Sequence, residues 1–151
     1  MSSIKDEWIF YLKLSPNLSS NFLELDRNFK RYGYNLIPVS FPNLLELIKS
    51  NESFHVVVVV SSQREAAYYL KHVAKSLKNL LRFGKINLFA ASSFSFINDT
   101  SQFARKENYE FYSLPIKSSE LCENIITTLL DQVVENVEWP GGKRPRMAVG
   151  E

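Results

Sequence analysis

Apolar residues follow two rhythms along this chain, one continuous over short runs and one spaced by three or four. The densest short run is Val56 to Val60, five valines followed by Ser61 and Ser62. Valine is β-branched and stiff at χ1, which favours a strand over a helix. A strand apolar at every position needs cover on both faces, the condition of a central parallel strand with helices on either side. Trp8 to Leu14, Tyr34 to Ser40, Ile86 to Ala91 and Tyr109 to Ser113 read as four further strands. Pro38 has no amide N–H to give a second neighbour, so its strand belongs at a sheet edge.

Helical spacing fills the intervals. Ser15-Pro16, a capping hydroxyl followed by proline, predicts the start of a first helix carrying Leu18, Phe22, Leu25 and Phe29 on one face and ending at Gly33. Pro42 opens a second, with Leu44, Leu45, Leu47 and Ile48. The third runs from Gln63 to Arg82, with Ala67, Leu70, Val73, Ala74, Leu77 and Leu81 turned inward. A weaker fourth covers Ser95 to Asn108, with Phe96, Ile97, Phe103 and Ala104 as its apolar residues. Ser118 opens the last, where Leu121, Ile125, Ile126, Leu129 and Val133 face in. Five strand–helix units predict an α/β fold: a five-stranded parallel sheet in a flavodoxin-like (βα)5 three-layer sandwich, strand order 2-1-3-4-5. Residues 1–135 form this domain. From 136 to 151 the pattern breaks into Trp139-Pro140-Gly141-Gly142 and the basic Lys143-Arg144-Pro145-Arg146, a tail or the stub of a linker.

Composition narrows the class. The 151 residues, 45% hydrophobic and 23% charged, suit one globular domain with its own core. A net charge of +2 is too small to name a partner, so its distribution matters more. The lone Cys122 excludes an intrachain disulfide and sits in an apolar helical pattern, as buried filler. No run approaches the ~20 apolar residues of a membrane span, and the polar, acidic first residues do not resemble a signal peptide; a cytoplasmic protein is expected. His55 and His72 fall on different elements without a ligand pattern around them, and the one Gly-Gly pair lies in the tail. Neither a metal nor another cofactor is expected, nor is an enzyme, since no acid, base and nucleophile meet at the strand ends.

Glu110-Phe111-Tyr112-Ser113-Leu114-Pro115-Ile116, followed by Ser118-Ser119-Glu120-Leu121, resembles the end of the receiver domain of bacterial response regulators. Phe111 stands at the aromatic switch position and Pro115 at the proline of that pattern. Together with the topology, the resemblance covers roughly residues 7 to 135. It implies a site built from an acidic pair after the first strand, an Asp after the third, a Thr or Ser after the fourth and a Lys before the proline. Carboxylates are needed there because Mg²⁺ is a hard cation that takes oxygen ligands. In this chain Lys13 and Leu14 occupy the acidic-pair positions, Val60 or Ser61 the acceptor position and Leu114 the Lys position. Ser92 alone keeps a matching hydroxyl. The tips of the strands thus offer hydroxyls and no carboxylate. The resemblance implies a pseudo-receiver, with the scaffold kept and the phosphoryl chemistry gone. An unrelated flavodoxin-like domain that never held such a site is the other reading, and both exclude phosphoryl transfer.

With the tips silent, function is expected on the surfaces. Lys71, Lys75, Lys78 and Arg82 recur at i, i+4, i+7 and i+11 on one stripe of the third helix. Such a stripe suits an acidic partner; the small overall charge and the lack of a basic–aromatic groove argue against nucleic acid. Phe94, Phe96, Phe103, Tyr109, Phe111 and Tyr112 gather around the fourth helix and fifth strand, where the resemblance implies partner contacts and a homodimer face shared with the last helix. The expected function is a phosphorylation-independent protein–protein interaction domain in a bacterial signalling or motility system, related to two-component signalling. The alternative is a sensor of a small anion or nucleotide, held in the crevice at the carboxyl ends of the strands by Lys13, Ser15, Ser61, Ser62 and Ser92.

Overall fold

Five parallel strands pair in the order β2-β1-β3-β4-β5: β1 (Trp8–Leu12), β2 (Asn35–Val39), β3 (Phe54–Val60), β4 (Ile86–Ser92) and β5 (Tyr109–Ser113). This is the order that the sequence predicts, with the valine strand central and the Pro38 strand at an edge. The computed structural model describes residues 8–49, 53–98 and 108–135, without the side chains of 132–135.

Alternate valines of β3 enter two different cores. Val56, Val58 and Val60 join Phe10, Leu12, Leu88 and Ala90 beneath α2 (Phe41–Leu47) and α3, whose first segment is Gln63–Tyr68. Val57 and Val59 join Ile9, Tyr11, Phe89 and Ala91 beneath α1 (Ser20–Arg31) and α4 (Ser118–Glu135). No valine of the run is more than 5% exposed. Each such side chain contributes on the order of 1.5–3 kcal/mol when fully buried, which explains the tolerance for so insoluble a strand. The two helices of the second layer are also tied by polar contacts: Ser118 Oγ donates to Glu24 Oε1 at 2.9 Å and Tyr32 Oη to Glu123 Oε2 at 3.4 Å.

The first helix begins later than Ser15-Pro16 suggests. β1 ends at Leu12, although the Lys13 N–H still reaches the Val39 carbonyl at 2.8 Å. The chain then uses 14–18 to climb from the sheet plane to the helical layer. Ser19, not Ser15, caps α1 by accepting from the Phe22 N–H at 3.3 Å. Leu18 is left in the connection and is 43% exposed, because no sheet lies beneath it. Gly33 closes the helix as expected, at φ +83°; a Cβ there would touch nothing within 4 Å, so glycine is required for its conformation alone. Ser40 caps α2 through the Asn43 N–H, with Pro42 in its first turn, and Leu45 turns outward while Leu44 is buried.

The third helix is longer than one register can serve. α3 continues from Gln63–Tyr68 through a π-helical turn, Tyr69–Val73, into a second α-helical segment, Ala74–Arg82. Its buried residues include Tyr69, Val73, Leu77 and Leu81, each four apart. In an α-helix a spacing of four drifts by about 40° per step. The wide i→i+5 turn absorbs that drift and keeps these four side chains over the sheet. The same shift moves Ala67 and Leu70, expected inside, to the outside.

Within 95–98 the chain forms a 3₁₀ turn in place of the expected α-helix, burying Ile97 and leaving Phe96 exposed. Phe103 and Ala104 of that expected helix, Val133 of the last and the basic tail fall outside the described residues. Asn108 is buried in a bend, where its Nδ2 donates to the carbonyls of Leu81 at 2.9 Å and Ile86 at 3.4 Å.

Leu77→Ala should cost about 2–5 kcal/mol in urea unfolding, whereas Leu70→Ala should stay within about 0.5 kcal/mol. Similar losses at both positions would contradict the π-shifted register. Burial, and then Glu123, raise the Cys122 thiol from about 9 to about 12. The folded chain therefore keeps a proton that the unfolded chain releases. This contribution to stability is full below about pH 9 and is lost as pH rises towards about 12. Unfolding midpoints taken across that range should fall less steeply for Cys122→Ala than for the parent protein.

Candidate functional site

The strand tips divide into a closed part and an open part. The closed part holds most of the positions singled out from the sequence. Val60 is fully buried, with its side chain in the core beneath α2 and α3, and Leu14 is 8% exposed in the same core. Leu114 packs against the opposite core, and its N–H donates to the Ser92 carbonyl at 3.0 Å. The Ser92 hydroxyl is buried and turned onto its own chain. It accepts from the Phe94 N–H at 2.8 Å and lies 3.3 Å from the Phe94 carbonyl. Three of these positions are thus packing positions, and the fourth is engaged in a local turn.

Ser61 is the residue whose side chain emerges at the tip of β3, and it does not stand alone. Glu65 Oε1 accepts from the Ser61 N–H at 2.9 Å and lies 3.3 Å from the Ser61 hydroxyl; Asn21 Nδ2 reaches that hydroxyl at 3.5 Å. Ser62 caps α3 by accepting from the Glu65 N–H at 3.1 Å. The expectation of tips without a carboxylate is therefore corrected. Glu65 is supplied from the first turn of the following helix, not from a strand. The spacing Ser62-Gln63-Arg64-Glu65 is the serine-to-glutamate signature of a capping box, and reading it as such would have found this residue.

The open part is a cleft of about 700 Å³ lined by Lys13, Leu14, Ser15, Pro16, Asn17, Ser40, Ser62, Arg64, Glu65 and Tyr68. These residues come from the loop after β1, the cap of α2 and the first turns of α3. β1 lies between β2 and β3, and the chain crosses to the other layer between those neighbours. Such a switch point leaves a crevice outside the carboxyl ends of a parallel sheet. Lys13, Ser15 and Ser62, expected in a crevice, line it; Ser61 and Ser92, expected with them, do not. Arg64, Ser40 and Tyr68 were not legible as members, since no local pattern connects them.

Charge in the cleft is unbalanced. Lys13 and Arg64 make no ion pair with any described residue. The Glu65 carboxylate has Oε1 committed to Ser61, while Oε2 takes no hydrogen bond from the described residues. Outside the cleft, burial in the core under α1 and α4 raises the Tyr11 phenol; its contact with Ser19 at 3.4 Å lowers it, and the nearby Glu65 charge raises it further. Among the described residues no group of three or more His, Cys, Asp or Glu could hold a metal.

On the outer surface, Lys71, Lys75 and Arg82 are exposed and Lys78 is half-buried. Leu70 and Phe83, 54% and 67% exposed, flank them, with the Arg82 guanidinium 5.9 Å from the Phe83 ring centre. The aromatic cluster does not form one face. Phe94, Tyr109 and Phe111 pack against the core under α3, and Tyr112 against the core under α1 and α4. No described helix is long and apolar enough to cross a membrane. The sequence matches no family model and no curated protein.

Glu65→Ala should speed hydrogen exchange at the Ser61 amide while the amides of β3 stay protected. Ser62→Ala should cost about 0.5–2 kcal/mol, read from urea unfolding. An unchanged Ser61 amide would remove Glu65 from its assigned place.

Proposed function

We propose that this chain is a receiver-like interaction domain that works without phosphoryl transfer, within a bacterial signalling system. The observation that carries the reading is the filling of the strand tips by core side chains. Leu14 and Val60 stand at the acidic-pair and acceptor positions of a receiver (Ser61 being the other candidate for the acceptor) and are buried in the core beneath α2 and α3, and Leu114, at the lysine position, is half-buried against the opposite core. Restoring such chemistry would put charges into those cores, at the heavy desolvation cost of a buried unpaired ion.

The contact surface in this reading is the outer face of α3. Lys71, Lys75 and Arg82 supply positive charge, and Leu70 and Phe83 supply apolar area beside it. A leucine and an aromatic ring at the two ends of a cationic stripe suit an acidic protein partner, because exposed charge guides encounter and desolvated apolar area holds the complex. A homodimer through β5 has less support from its rings, which divide between opposite cores.

Adding Mg²⁺ and beryllofluoride should leave the amide resonances of Ser61 and Ser92 unmoved; saturable shifts there would sink the reading. A partner captured from native lysate should be lost on Lys71→Glu/Lys75→Glu, with the melting temperature unchanged, and retained on Leu23→Ala, a change of an exposed side chain on the opposite helical layer.

A further inference from the structure

We propose that the cleft over β1 and β3 is a binding site for a nucleoside phosphate. The proposal stands apart from the interaction surface on α3 and from the closed tips of β3, β4 and β5, because none of those residues lines this cleft.

Its size comes first. About 700 Å³ lies within the ~300–1,000 Å³ of small-molecule sites and is far more than an isolated inorganic ion needs. Charge comes second. Lys13 and Arg64 enter the same cleft from different elements, and neither has an ionic partner among the described residues. The single carboxylate, Glu65, is partly committed to Ser61. The balance therefore favours a negative ligand. A phosphate accepts hydrogen bonds from a lysine, an arginine and serine hydroxyls together, and the cleft offers all three: the Ser40 and Ser62 hydroxyls accept at their helix caps and keep a proton to give, whereas Ser15 already donates to the Asn17 carbonyl at 3.0 Å.

The remaining lining fits the rest of a nucleotide. Tyr68 and Pro16 provide flat apolar surface suited to a base, and Leu14 adds an apolar wall. Glu65 Oε2 has acceptor capacity for a sugar hydroxyl, a role that an inorganic phosphate cannot use. The cations thus meet the phosphate, the carboxylate meets the sugar and the ring of Tyr68 meets the base.

The test is titration of the full chain with ADP, GDP and inorganic pyrophosphate, followed by amide shifts and by calorimetry. Saturable shifts with ADP or GDP at 13–17 and 62–68 are expected, with pyrophosphate weaker. Lys13→Gln and Arg64→Gln, both at positions outside the core, should each weaken nucleotide binding at least tenfold while the melting temperature of the free protein stays unchanged. Tyr68→Leu should reduce nucleotide binding towards that of pyrophosphate. No saturable shift at millimolar nucleotide, or affinity unaffected by both cation variants, overturns the site. Pyrophosphate binding as tightly as the nucleotides overturns the nucleoside assignment.

Discussion

The whole architecture depends on a strand that cannot show either face to water. Val56, Val58 and Val60 must be covered from one side and Val57 and Val59 from the other. Cover on both sides demands a helical layer above and below. Parallel pairing then follows, because each crossover that returns the chain to the same end of the sheet carries one of those helices. The loops that follow β1, β2 and β3 consequently meet at one end. Where the chain changes layers between the two neighbours of β1, they part and leave the cleft.

That same end shows how packing and chemistry compete for position. A strand tip holds either a packing side chain or a reactive group; here Leu14 and Val60 are core side chains and Leu114 packs against the opposite core. Polar function is displaced by one element, from the strands to the loops and helix starts. Lys13 stands just past β1, Ser40 caps α2, and Ser62, Arg64 and Glu65 belong to the cap and first turn of α3. Charges there reach solvent and carry no burial penalty, whereas the same charges on Val60 would destroy the core beneath α3.

α3 joins the two surfaces to which function is assigned. Its first turns wall the cleft through Arg64, Glu65 and Tyr68, and its later turns carry Lys71, Lys75 and Arg82. The π-helical turn Tyr69–Val73 lies between them. Without that turn, the spacing of four between Tyr69, Val73, Leu77 and Leu81 would rotate the buried stripe off the sheet before the helix ended. The turn thus sets which residues of α3 face the core and which form the basic, partly apolar outer face.

Much of the fold was legible because burial leaves periodic marks. Uninterrupted valines marked the central strand, Pro38 an edge, Gly33 a helix end, and the strand–helix alternation gave the order 2-1-3-4-5. The misplacements came where local patterns had competing solutions. Ser15-Pro16 was a sound cap, yet Ser19 stood at the right distance from Phe22, and only the distance from sheet to helical layer selected it. Leu70 kept α-helical spacing, but a π-helical turn has no sequence signature in that spacing. The site was less legible still, although Ser62-Gln63-Arg64-Glu65 advertised a capping box. Sequence by itself determined which residues must be buried, and hence the layers and their order, since apolar periodicity is a local property of the chain. Tertiary structure alone decided that Ser40, Arg64 and Tyr68 join Lys13 in one cleft, because the cap of α2, the start of α3 and the loop after β1 lie far apart along the chain and meet only where the parallel strands end.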